Sequence, residues 1–489
     1  MKERSFYSNL FFSLGLNLLV KPAAIFLIDA AVQNEVGSAY GLYFAIFNLS
    51  LILSILFDFG INNLSTKEAA QNLEAAKLQF TSIFSFRIVL MLFYLSGLFC
   101  CNLYLRLSWV EYKLILILGL NQFLIANIAY FRSFFAGLQW FRLDAIFSVL
   151  DRIMLICSMG YLIYLYPDGF KLVHIESYAL MQFGSYALTF IIAGSTVFLK
   201  VKPPFVMPKM AIVKSKVKQA FPYALLIVLM TLYTRIDGII LKNLAGVEEA
   251  SYYAQAYRLI DALYMFAMVF AGLLFPMFSK MITVNPQEIK PLVSQSSRLL
   301  LGSSIAFIVF SYLQGGLLMD LIYAHPAVDS GIILFLLSIA FFGMASNLIY
   351  GSLLTANGSL KALNIISFCG LVFNVMMNLL LIPKVLNGGA VVVAAVAALT
   401  QMLVALAQAI YCKRLFALSF VNRDFYRYPL FLFVLLLWYV FIDWTPLGYV
   451  FGNSILLIDV SATLIFLLAF KFIDVKELIA LAQKRTKAQ

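Results

Sequence analysis

The sequence predicts an all-α, polytopic membrane protein with 14 transmembrane helices, and three observations carry that prediction. Hydrophobic residues make up 63% of the 489 residues and charged ones 12%, with a mean hydropathy of +0.94. That is far more apolar surface than one soluble domain could bury. The apolar residues fall in runs of about 20, the length a helix needs to cross the hydrocarbon core of a bilayer. Lysine and arginine gather in alternate gaps between the runs, the bias that sets orientation in a membrane.

In chain order the runs place spans at roughly 8–30, 40–63, 80–104, 113–135, 144–166, 174–199, 219–243, 251–278, 297–322, 330–355, 362–383, 390–412, 427–444 and 453–472. The first run starts with Lys2 and Arg4 like a secretion signal, but continues through Lys21 and Pro22 to about Ala30. It is therefore expected to remain as the first helix. With the N-terminus inside, 25 of the 35 basic residues fall in inside segments, so both termini are expected in the cytoplasm. The net charge of +12 then reflects topology and attraction to anionic membrane lipids, and no nucleic-acid partner is expected. The longest outer loop in this scheme runs from Asp29 to Ala39.

A weak internal repeat organises the chain. A slide of 213 residues sets Ser38-Ala39-Tyr40 near Ser251-Tyr252-Tyr253, Thr66-Lys67 on Ser279-Lys280, and Lys21 within one residue of Arg235. A slide of 219 sets Arg142 on Lys361. The matches predict an N-terminal six-helix bundle (1–199), a basic cytoplasmic linker (200–218) and a C-terminal six-helix bundle (219–415). Two additional helices and a cytoplasmic tail follow (416–489). Each bundle has an even number of spans, so the copies share an orientation and form a parallel repeat about an axis along the membrane normal.

The ionisable residues inside the spans are the candidate functional groups, because a charge at mid-depth costs about 2.5–3.5 kcal/mol even on insertion scales. The cations are Lys21, Arg87, Arg152, Arg235 and Arg258, and the carboxylates are Asp58, Asp237 and Asp261. Two readings stay open for them. Arg258 and Asp261 stand three apart on one helical face, and Arg235 with Asp261 and Asp237 with Arg258 could complete a structural ion-pair knot. Arg87 could pair with Asp151, whereas Lys21 has no acid within four residues. The alternative is a path lined for something charged. The carboxylates could exchange a proton or bind sodium in a low dielectric.

Other chemistries find little support. The five cysteines lie in or at the ends of spans with no disulfide or metal-ligand spacing, and His174 and His325 stand apart. No GxxxxGK[ST] phosphate loop occurs, and no acid, base and metal-ligand constellation gathers at a membrane face. Neither an enzyme nor a bound cofactor or metal is expected.

Three stretches carry a family resemblance. VGSAYGLYFAIFNLSLILSILFDFGINNLSTKEAA, with Gly37, Asp58-Phe59-Gly60 and Thr66-Lys67-Glu68, resembles the opening helix pair of polysaccharide and O-antigen flippases of the multidrug/oligosaccharidyl-lipid/polysaccharide (MOP) exporter superfamily. LYTRIDGIILKNLAGVEEASYYAQAYRLIDAL with LLFPMFSK resembles the seventh and eighth helices of that family. GSLLTANGSLKAL, FNVMMNLLLIP and GGAVVVAAVAALTQ resemble its tenth to twelfth, so that the likeness covers roughly residues 5–415. The resemblance implies two bundles facing a central cavity and alternating access. It further implies translocation of a polyprenyl-diphosphate-linked oligosaccharide in the bacterial cytoplasmic (inner) membrane, on a path to O-antigen or lipopolysaccharide, beside polymerase and export proteins. On that reading Lys21, Arg87, Arg152, Arg235 and Arg258 compensate the diphosphate at successive depths, guanidinium groups gripping phosphate oxygens bidentately. Lys21 and Arg235, matched by the repeat, are the leading pair. Asp58, Asp237 and Asp261 are the coupling candidates, for sodium or protons. The rivals are a drug or metabolite exporter of the same superfamily, whose cationic substrates a positive cavity would repel, and a membrane enzyme of polysaccharide assembly.

Overall fold

The computed structural model describes residue 12 and residues 15–54, 61–62, 65–66, 69, 73–105, 108–166, 169–204, 210–385, 388–418, 426–444 and 455–472. These residues are mostly helical, as the apolar runs predict. In a bilayer every backbone N–H and C=O must be satisfied within its own segment, which leaves the helix as the solution for long apolar runs. The helices are α1 (Gly15–Val36), α2 (Ala39–Ser54), α3 (Leu73–Leu105), α4 (Trp109–Gly137), α5 (Phe141–Leu165), α6 (Ile175–Lys200), α7 (Met210–Ala245) and α8 (Val247–Val284). There follow α9 (Ile289–Ile322), α10 (Ser330–Ala356), α11 (Leu360–Leu381), α12 (Gly389–Phe416), α13 (Arg427–Trp444) and α14 (Ile455–Ala469). Among the described residues ten helices are long and apolar enough to cross a membrane, with shorter apolar helices at Ala39–Ser54, Arg427–Ile442 and Ile455–Ala469.

The expected outer loop from Asp29 to Ala39 is mostly helix. Ala30–Val36 continues α1 because AAVQNEV contains no breaker, and the helix stops at Gly37, whose φ of 57° suits a residue without Cβ. Asp29 is therefore a helical and buried residue, not a loop acid. At the same end of the chain's first helices, α4 opens on a capping box: Ser108 Oγ accepts from the Glu111 amide, and Glu111 Oε2 accepts from the Ser108 amide at 2.7 Å.

By contacts the chain divides into two compact units, Met1–Ser251 and Tyr252–Gln489. In the first, Phe80, Phe131, Phe134, Phe135 and Phe147 form an aromatic core joining α3, α4 and α5. Helix α7 belongs to this unit and meets α2 through glycine. A Cβ on Gly238 would lie 2.8 Å from Phe44 and from Asn48, and one on Gly41 would strike the Val247 carbonyl. Small residues let membrane helices approach closely enough for dispersion forces to hold them.

In the second unit α10 packs against both α9 and α12. Gly343 brings α10 onto the backbone of Gln401, where a Cβ would sit 2.6 Å from a main-chain atom. The last two helices dock on α9 through Phe310, Phe431, Leu435 and Leu456. Buried Asp459 of α14 accepts hydrogen bonds from Gln314 Nε2 and Trp438 Nε1, both at 3.0 Å, and so ties α14 to α9 and α13.

Candidate functional site

The first unit gathers charge where α1, α4, α5 and α6 meet. Lys21 lies on α1 within electrostatic range of Arg132, Arg152, Asp144 and Asp151. Arg132 Nε bonds Asp144 Oδ1 at 2.7 Å, linking the last turns of α4 to the first turn of α5. Arg152 Nε stands 3.3 Å from the Asp151 carboxylate, and its guanidinium lies 5.7 Å from the centre of the Tyr186 ring on α6. Tyr43 and Tyr178 also lie within electrostatic range of Arg152. Three cations thus share the basin with two carboxylates, a surplus of one positive charge. The side chains of Arg132 and Arg152 keep 30% and 32% of their surface, so neither is sealed in the core. Asn17 Nδ2 donates to Ser148 Oγ at 2.9 Å, one turn along α1 from Lys21, and ties α1 to α5.

A second polar cluster sits further along α1. Asp29 accepts the hydroxyls of Tyr40 (2.6 Å) and Tyr178 (2.8 Å), and the Tyr43 hydroxyl donates to Gln182 at 3.0 Å. Asp29 closes a π-helical turn, Ala24–Asp29. A second π-helical turn ends α5 at Tyr161–Leu165. The Tyr164 hydroxyl joins the two by donating to the Leu27 carbonyl at 2.7 Å. Wide turns leave main-chain carbonyls poorly satisfied and recur at functional sites.

The remaining expected residues fall differently. Arg87 is fully buried. It donates to the Ala126 carbonyl at 2.9 Å and to Asn62 Oδ1 at 2.6 Å, and its guanidinium lies 4.7 Å from the Tyr130 ring centre. Asp151, its suggested partner, bonds its own neighbour Arg152. On α7, Asp237 is buried and Arg235 half-buried, and two residues of separation turn them to opposite faces of the helix. In the second unit Arg258 and Asp261 are both buried and lie 3.5 Å apart along α8, the (i, i+3) pair that the sequence suggests. Asp58 lies outside the described residues.

Sequence reasoning passed over Arg132 and Asp144 because each sits near the end of its apolar run and resembles topology charge. It passed over Asp29 because the acid stands where the first run was expected to end. The signal for Asp29 was its distance of eight residues from Lys21, two helical turns and so the same side of α1.

Comparison with known proteins agrees with this architecture. A family model described as polysaccharide biosynthesis protein matches residues 8–282. No curated protein matches the sequence. Among solved structures the chain is similar to the lipid II flippase MurJ in an inward closed conformation, at 15% identity and a TM-score of 0.69, covering 98% of this chain and 100% of that one. It is also similar to an inward-facing multidrug resistance MATE family transporter of the MOP superfamily, at 13% identity and a TM-score of 0.61, with 83% and 94% covered. A MOP superfamily transporter from Pyrococcus furiosus matches at 14% identity and a TM-score of 0.61, with 84% and 94% covered. The chain shares its fold with these membrane transporters.

Proposed function

Because the chain belongs to the polysaccharide biosynthesis protein family, we propose that it flips a polyprenyl-diphosphate-linked oligosaccharide, an O-antigen or related repeat unit, from the cytoplasmic to the outer leaflet. The observation that carries this reading is the basin of Lys21, Arg132 and Arg152. Three cations against two carboxylates, partly exposed and held by neighbouring packing, leave charge to spare for an anion. A diphosphate bears more than one negative charge and offers oxygens for bidentate guanidinium contacts. Positive charges crowded in the empty site repel one another, and the arriving anion relieves that repulsion. Arg87, Arg235 and Arg258 are the further candidates for contact with the diphosphate.

The finer parts of the proposal are the bacterial inner membrane with both termini in the cytoplasm, alternating access, and coupling to protons or sodium. Asp58, Asp237 and Asp261 are the coupling candidates. Asp29 joins them, since a buried carboxylate held by two phenols at a π-helical turn combines a titratable group with a pliable backbone. Polysaccharide polymerase and export proteins would take the product. The test is a cell that lacks the chain. It should accumulate lipid-linked oligosaccharide on the cytoplasmic side and lose the corresponding surface polysaccharide, with both restored by the wild-type chain but not by Lys21→Ala/Arg152→Ala. Normal surface polysaccharide in cells without the chain would overturn the assignment.

A further inference from the structure

Helices α5 and α6 turn apolar stripes outward that both stop at a cation. On α6 Leu188, Ile191 and Leu199 are exposed, Leu199 by 73%, and the next residue is the exposed Lys200. On α5 Ile146 and Ile153 are exposed, and exposed Arg142 precedes Ile146 by one turn. An exposed apolar stripe lies in hydrocarbon, so the charge that ends it stands at the depth of the lipid headgroups.

Trp140 gathers these ends into one patch. Its ring lies 5.4 Å from Lys200 Nζ and stacks on Phe135 at 6.2 Å, which anchors it to the aromatic core. Two residues on, Arg142 opens α5. Lys202 is exposed in a left-handed turn with φ of 53°. That turn is closed by the Val201 and Lys202 amides on the Val197 carbonyl, at 2.8 and 3.3 Å. The chain beyond is pinned where the Thr81 hydroxyl donates to the Pro204 carbonyl at 2.9 Å. From Lys200 to Lys218 the sequence holds six lysines and no carboxylate.

We infer that Arg142, Lys200 and Lys202, set around Trp140, form a docking site for the phosphate headgroups of anionic phospholipids. The Trp140 ring holds Lys200 and the turn at Val197 sets the backbone of Lys202, so less freedom is lost on binding than for lysines on a mobile loop. Indole at the interface beside basic side chains is the pairing that recognises a negatively charged leaflet. On the orientation proposed above that leaflet is cytoplasmic. The inference stands whether or not the chain flips lipid-linked sugars, because it is read by lipid retention and not by transport.

The test is native mass spectrometry of the full-length purified protein incubated with phosphatidylglycerol or with phosphatidylcholine of the same acyl chains. Wild type should retain phosphatidylglycerol several-fold over phosphatidylcholine, and raised salt should erase the preference. Arg142→Gln/Lys200→Gln/Lys202→Gln should lose it. Lys113→Gln should keep it, as a matched control that removes another lysine over a tryptophan, Lys113 with Trp109. A triple variant with wild-type preference, a wild type with none, or equal loss in the Lys113 variant would overturn the site. Displacement of phosphatidylglycerol from wild type by sub-stoichiometric polyprenyl diphosphate would overturn the choice of ligand and make the patch a capture point for the lipid carrier. Should the triple variant fail to reach the membrane, the salt titration and the single Lys202→Gln variant, at an exposed turn, still decide.

Discussion

The charged basin of the first unit and the α9–α12 packing of the second use different polar chemistry, although the second unit also buries the Arg258–Asp261 pair and Asp459. In the first unit, α1, α4 and α5 bring Lys21, Arg132, Arg152, Asp144 and Asp151 together, and Asp29 and Arg87 are buried elsewhere on α1 and α3. In the second, hydrogen bonds between neutral groups link the helices α9 to α12. Ser311 meets Ser338 at 2.7 Å, Asn347 donates to Gln401 at 3.2 Å, and Asn374 donates to Thr400 Oγ1 at 3.5 Å. Helix α10 carries no Asp, Glu, Lys, Arg or His at all. Hydroxyls and amides can glue membrane helices together for about 0.6 kcal/mol per contact. Ionised groups at the same depth cost several times that unless something repays them. The difference teaches that helices of this protein can pack through neutral groups alone, and it singles out Lys21, Arg132 and Arg152 as the charges to test against a charged cargo.

Four measurements would break or sharpen that comparison. The largest effect is expected at Gly343→Val, which forces a side chain into the Gln401 backbone. The variant should lose about 3 kcal/mol or more and largely fail to accumulate in the membrane, scored by the yield of monodisperse protein. Normal yield would mean that α10 and α12 are not held by close backbone approach. Next, Lys21→Ala and Arg152→Ala should each cut flipping in proteoliposomes by about 10- to 100-fold, the loss of one charged hydrogen bond to the cargo. Thermal stability should change little, since both side chains are partly exposed. A variant that melts early and flips normally when folded would move these charges to the structural side of the comparison.

Asn347→Leu should act in the opposite sense to the basin variants. It removes one amide contact with Gln401, so stability should fall by about 0.6 to 1.7 kcal/mol while flipping by the folded protein persists. Loss of transport at unchanged stability would show that the neutral interior also serves the cargo. The smallest effect is expected for Lys242→Ala. Lys242 Nζ bonds Glu111 at 2.7 Å with 18% and 15% of the side chains exposed, close to the boundary where ion pairs contribute about 0–1 kcal/mol. A double-mutant cycle with Glu111→Ala would measure the coupling. A coupling well above that range would place a structural ion pair of real weight in the first unit and blur the contrast.

The class of the protein was written in the sequence because the bilayer leaves little choice. Long apolar runs must be helices, so α3, α4, α6, α10 and α12 fall where hydropathy puts them, and Gly37 ends α1 for a reason visible in one residue. The (i, i+3) pairing of Arg258 with Asp261 was legible for the same reason, since helical geometry is local. Partners between helices were not. Nothing in the spacing says that Asp144 reaches back to Arg132, that Tyr40 and Tyr178 converge on Asp29, or that Asp459 clasps Gln314 and Trp438. Local periodicity fixes which face of a helix a residue occupies. The neighbour presented to that face depends on crossing angle and rotation, and these come from close packing at Gly41, Gly238 and Gly343 among residues far apart in the chain.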